Sequence, residues 1–149
     1  MSQKIRPFLW FDGQAEQAAK FYTSIFKRSK TVSVSPMSAT FRLEGQEFIG
    51  FNGGPQFRFT PAISFFVSCN TQNEVDYFWK KLSVGGKIQQ CGWLQDKFGV
   101  SWQIVPSILG DLLGDDDDEK AKRAMEAMLK MKKLDIAKLK KAHAGPRRK

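Results

Sequence analysis

The side chains able to do chemistry are unevenly supplied in this 149-residue chain: one histidine, His143, and two cysteines against 13 Phe and four Trp. A Ser-His-Asp relay or a histidine-based metal site would have to recruit His143 from a basic stretch, and neither is expected. Cys69 and Cys91 have no zinc-motif spacing and read as small buried hydrophobes, neither metal ligands nor a disulfide frame. Four consecutive carboxylates, residues 115–118, lack the spacing and loop glycine of a calcium site. They read as the solvated, dipole-favoured start of a helix. Neither a dinucleotide nor a nucleoside-triphosphate glycine loop occurs, so no cofactor is expected.

What remains is a set of polar groups among rings. Gln103 lies between Trp102 and Ile104. Asn52 closes an aromatic stretch. Trp10, Trp93 and Trp102 each carry an indole N–H beside apolar surface. A ring-lined surface with a few convergent amides suits a small organic ligand. The candidate ligand-binding residues are therefore Trp10, Asn52, Trp93, Trp102 and Gln103, with no metal ligand and no assignable catalytic group.

Two rounds of the same element order would position these residues. Residues 5–11 read as an apolar strand with an edge or bulge at Pro7. Residues 14–26 read as a helix with Ala15, Ala18, Ala19, Tyr22, Ile25 and Phe26 on one face. Strands at 31–35, 39–43 and 47–51 follow, and Asn52-Gly53-Gly54-Pro55 is a loop. Residues 62–67 then read as a strand, with a helix from a Thr71 cap to about residue 84, Glu74 holding the capping-box position. Strands at 87–91, 93–96 and 100–105 close the second round. The fold class is α+β: paired βαβββ modules over residues 1–106 (about 4–53 and 61–106), with a helical extension at 107–149. In that extension, helices are expected at 107–113, 119–131 and 136–142, the last capped by Asp135. The end of the chain, residues 145–149, is expected to fray.

Charge follows the same division. The formal net charge is +9, yet residues 1–119 hold 12 basic and 13 acidic side chains, and residues 120–149 hold 12 basic side chains with only Glu126 and Asp135. The basic character belongs to the helical extension. Its cations alternate with Met and Leu at helical spacing and no ring stands among them, so a packing helix with a wet face is favoured over nucleic-acid binding. The opening residues contain no apolar signal core, and no apolar run approaches a membrane span. A cytoplasmic protein is expected.

At the residues singled out, the sequence resembles PhnB-like proteins of the vicinal oxygen chelate superfamily, which includes glyoxalases, bleomycin resistance proteins and extradiol dioxygenases. The resemblance is carried by the run from Pro7 through Glu16 (PFLWFDGQAE), Phe21-Tyr22, Asn52-Gly53-Gly54-Pro55, Glu74-Val75-Asp76 with Trp79, Cys91-Gly92-Trp93-Leu94 and Trp102-Gln103-Ile104-Val105-Pro106-Ser107. Ala127-Met128-Leu129 and Met131-Lys132-Lys133 extend it. It implies paired βαβββ modules, frequent dimers, and a family label borrowed from demethylubiquinone methyltransferase. It also implies ligand positions on the first and last strand of each module, falling near Pro7, Ile49 and Ala62 and on Gln103. Three of these four cannot ligate a metal through their side chains.

The expectation is a homodimer that holds a small, aromatic or quinone-like molecule without metal. Its C-terminal helix would bury Met125, Met128 and Leu129 against its own or the partner subunit. An enzyme of the superfamily, whether lyase, dioxygenase or methyltransferase, is the alternative. A nucleic-acid binder acting through residues 120–149 is the third reading.

Overall fold

The computed structural model describes residues 3–146. The chain forms two compact units, Met1–Thr60 and Pro61–Lys149, described in turn.

The first unit runs β1 (Phe8–Phe11), α1 (Ala15–Ile25), β2 (Lys30–Val34), β3 (Ser38–Leu43) and β4 (Gln46–Asn52). Its sheet has the order β1-β4-β3-β2. β1 lies parallel to β4, and the other pairs are antiparallel. β1 starts at Phe8, later than the sequence suggested. Pro7 has no N–H to give a ladder, and only its carbonyl joins, accepting from Ile49 N at 3.0 Å. Alternation along the strands sends Leu9, Phe11, Ala39, Phe41, Leu43 and Phe48 to one face, where all are buried. α1 covers that face with Ala15, Ala18, Ala19, Tyr22 and Ile25. The small alanines let the helix approach closely, while Tyr22 and the stacked pair Phe41–Phe48 fill the interior. Each fully buried ring contributes about 2–3 kcal/mol of transfer free energy. β2 behaves differently from its Val32/Val34 pattern. It is an exposed edge strand whose register shifts between Thr31 and Ser33.

The second unit repeats the order: β5 (Ser64–Cys69), α2 (Gln72–Leu82), β6 (Lys87–Ile88), β7 (Trp93–Gln95) and β8 (Ser101–Pro106). Its sheet has the order β5-β8-β7-β6, with β5 parallel to β8. β5 begins two residues later than expected because Pro61 and Ala62 form a turn. α2 has its Thr71 cap, the hydroxyl accepting from Glu74 N at 3.2 Å. The reciprocal bond differs from a capping box: the Glu74 carboxylate accepts from Asn70 N, one residue upstream.

Three helices complete this unit: α3 (Ile108–Leu113), α4 (Asp118–Leu129) and α5 (Ile136–Ala144). They close a core with the end of β8, made of Val105, Leu109, Leu112, Ala124, Leu134 and Leu139. The carboxylates act locally. Asp117 accepts from the N–H groups of Glu119 and Lys120, and Asp135 caps α5 through Lys138 N. The inward face of α4 differs from the expected one. Ala124 is buried and Ala127 and Met128 pack against the core, whereas Met125 and Leu129 are 41% and 55% exposed. Of the terminal stretch expected to fray, residues 147–149 lie outside the described residues. Among the described residues, no helix is long and apolar enough to cross a membrane.

Candidate functional site: the open sheet faces

Each sheet has one face covered by its helix and one that the helix leaves open. In the first unit, register defines the open face as cross-strand rows. Ser38, Phe51 and Trp10 form one row, and Thr40, Ile49 and Phe8 the next. Arg42 and Glu47 pair in the following one, where Arg6 joins them from the chain leading into β1. The rings make a connected set. Phe51 lies 5.5 Å from Phe8 and 5.2 Å from Trp10, and Trp10 meets Phe57 edge-on at 4.9 Å. Phe8 and Phe57 are more than half exposed.

Trp10 is anchored on this face. Its indole N–H donates to Gly54 O at 3.0 Å. A Cβ at position 53 would fall inside the Trp10 ring, so the Gly53 backbone can lie against it only because the residue is glycine. Asn52 performs a structural task. Its Oδ1 accepts from Ala15 N at 2.8 Å and its amide donates to Pro36 O at 3.2 Å. The helix α1 otherwise starts without a side-chain cap, since Gln14 gives none. Asn52 supplies that acceptor from the end of β4.

In the second unit, Trp93, Gln103 and Phe66 form a row across β7, β8 and β5. Phe66 is 61% exposed. The Gln103 amide donates to the Ser64 hydroxyl at 2.9 Å. Trp102 lies on the other side of β8 and is 3% exposed. Its indole N–H donates to Asp96 Oδ2 at 2.9 Å, while Asp96 Oδ1 accepts from Phe98 N and Val100 N. Sequence reasoning passed over Asp96. Its signal was an acidic residue three positions before Gly99 in a turn between strands.

On the open faces the parallel partner of Ile49 is Phe8, and that of Gln103 is Phe66. Two Phe, one Ile and one Gln supply a single amide oxygen. This set does not fit a divalent cation. Among the described residues, no group of three or more His, Cys, Asp or Glu side chains could hold a metal ion.

Several titratable groups elsewhere are tied into the structure. Arg6 and Arg42 grip Glu47 at 2.8 Å and 3.4 Å, and the hydrogen bond from Arg6 holds its carboxyl below the usual range. Burial, helped by the Glu74 charge, pushes the Cys69 thiol up to about 12. His143 pairs with Asp115 at 2.8 Å, joining α5 to the segment before α4. Beside that pair, Arg123, Lys130, Lys138 and Lys141 line a groove of about 550 Å³ between the two helices, with Glu126 as its one acid.

Two four-stranded sheets, each built by a βαβββ module, followed by C-terminal helices, define a protein of the glyoxalase/bleomycin resistance fold. Two solved structures support that class: a glyoxalase/bleomycin resistance protein from Albidiferax ferrireducens (15% identity, 68% of this chain, 95% of that one, TM-score 0.51) and a glyoxalase-related enzyme from Fulvimarina pelagi (14%, 70%, 88%, TM-score 0.50). A family model described as 3-demethylubiquinone-9 3-methyltransferase matches residues 3–105. A PhnB protein from Bacillus cereus, bearing a provisional name of that same methyltransferase, is 40% identical over 70% of this chain and 99% of its own, with a TM-score of 0.65. The chain belongs to the PhnB-like family. No curated protein matches it.

Proposed function

We propose that this protein binds a small aromatic or quinone-like molecule on the open sheet faces and does so without a metal. The supporting observation is the continuous ring surface of the first unit, where ring contacts link Phe8 to Phe51, Phe51 to Trp10 and Trp10 to Phe57, and two of the four rings are over half exposed. Contiguous exposed rings on a sheet face are costly in water and mark a place that something covers. In this reading Trp10 is a contact residue on the open face of the first unit, and Trp93 and Gln103 are contact residues on the open face of the second. Asn52 and Trp102 act as positioning residues, one fixing the start of α1 and the other the turn before β8. Two free thiols, one buried, fit a reducing compartment, and we place the protein in the cytoplasm.

The methyltransferase label enters as an alternative. No glycine-rich nucleotide loop accompanies it in this chain. Native mass spectrometry of protein purified without chelator, combined with metal analysis, tests the main reading. A co-purified aromatic compound and substoichiometric metal are the expected result. Stoichiometric divalent metal overturns the metal-free reading, and S-adenosylmethionine binding by calorimetry favours the label.

The protein also associates with a second copy in this proposal, through the exposed Met125–Leu129 face of α4. Sedimentation equilibrium is expected to give a dimer, and Met125→Glu with Leu129→Glu to give a monomer of unchanged helicity. A monomeric wild type at micromolar concentration overturns the dimer.

A further inference from the structure

The open face of the first unit ends in a charged row. Lys30, Arg42 and Glu47 stand opposite one another across β2, β3 and β4, and Arg6 closes the row from the chain before β1. Glu47 is 6% exposed, whereas the Arg6 and Arg42 side chains are 36% and 40% exposed. Three cations face one carboxylate. Each guanidinium has five N–H donors, and its bond to Glu47 occupies only part of that fork. The carboxylate holds both guanidiniums, and both side chains remain partly exposed with donors to spare.

This row adjoins the rings. Successive rows on one face of a strand are about 7 Å apart, so the charges lie roughly 7 Å from the Phe8 row and roughly 13 Å from the Trp10 row. That is the span of a one- or two-ring molecule with an anionic group at one end. The fold itself does not require the charges. The register that equates Phe8 and Ile49 with Phe66 and Gln103 also equates Arg6, Glu47 and Arg42 with Ser64, Ser101 and Gln95. The second module builds the same row from neutral side chains, with only Lys87 matching Lys30 at its edge. A partly buried ion-pair cluster is weak evidence of a stabilising role, since neutral residues serve as well.

We infer that the ligand of this face is an aromatic anion, its ring on Phe8, Phe51 and Trp10 and its carboxylate or equivalent on Arg6 and Arg42. This rests on the aromatic-face reading above. Glu47 is the positioning residue for both guanidiniums. Neutral aromatics of the same size would share the ring contacts and lack the charge-assisted bonds.

Titration of tryptophan fluorescence with 2-naphthoate and with neutral 2-naphthamide tests the inference. Naphthoate is expected to bind at least tenfold more tightly in the wild-type protein. In the Arg6→Gln/Arg42→Gln variant the two affinities should converge, with the amide unchanged. A second measurement needs no variant: raising NaCl from about 0.05 to 0.5 M should weaken naphthoate several-fold and leave the amide unaffected. Equal affinities in the wild-type protein, or a preference indifferent to salt, overturn the inference and leave the aromatic-face reading standing. Binding of neither probe overturns both.

Discussion

The indole N–H of Trp102 donates to Oδ2 of Asp96 at 2.9 Å, and both residues are 3% exposed. The bond turns a tryptophan that looked like ligand surface into the floor of a turn. Asp96 simultaneously accepts the backbone N–H groups of Phe98 and Val100, so one buried carboxylate satisfies three donors. Asp96→Ala leaves all three without that acceptor and should destabilise the protein by about 3 kcal/mol in urea unfolding. Asp96→Asn can still accept from the two backbone groups, but one of its oxygens becomes a donor facing the indole. It should cost about half as much. A double-mutant cycle with Trp102→Phe should show coupling. Strict additivity would mean that the bond contributes nothing.

Asn52 predicts a cap phenotype. Asn52→Ala removes the acceptor for Ala15 N at the start of α1 and should lower stability by about 1 kcal/mol, the usual cost of a lost helix cap. Hydrogen exchange should quicken first at residues 15–18. Unchanged stability with impaired ligand binding would instead make Asn52 a contact residue.

Glu47 predicts an acid-dependent stability. The Arg6 hydrogen bond lowers its pKa from the ordinary 4.5, so the folded state favours the charged form. The stabilisation is fully present above the ordinary value and is lost as pH falls through the lowered one. Wild type and Glu47→Gln should therefore differ in melting temperature most at neutral pH, and the gap should close in strong acid. A gap independent of pH would show that ionisation of Glu47 is immaterial.

The thiols should separate by reactivity. Cys69 is buried with its pKa pushed to about 12, so its thiolate is scarce at neutral pH. Cys91 is partly exposed. Alkylation of the native protein at pH 8 should modify Cys91 and spare Cys69, with both reacting in denaturant, as peptide mapping would show. The raised value also means that stability falls as pH climbs from the ordinary thiol pKa of 9.0 toward 12. Prompt native labelling of Cys69 would contradict its burial.

The sequence alone carried the order of elements. Alternation and helical periodicity are local properties, and they located the strands and helices of both βαβββ rounds and the Thr71 and Asp135 caps to within a few residues. The scarcity of histidine and cysteine is a matter of composition and does not depend on folding. Which face each ring occupies was not legible. A shift of one residue in strand register moves every side chain to the opposite side, and register is set by partners far along the chain. Trp102 and Gln103 are neighbours in sequence, yet one is core and the other faces outward. The tertiary structure alone brought Arg6 to Glu47, 41 residues away, and Asn52 to Ala15, 37 away. It also turned Met125 and Leu129 outward, since Ala124 allows the closer approach of α4 to its core. Long-range pairing depends on which apolar faces bury each other, and that balance is struck only once the whole chain has closed.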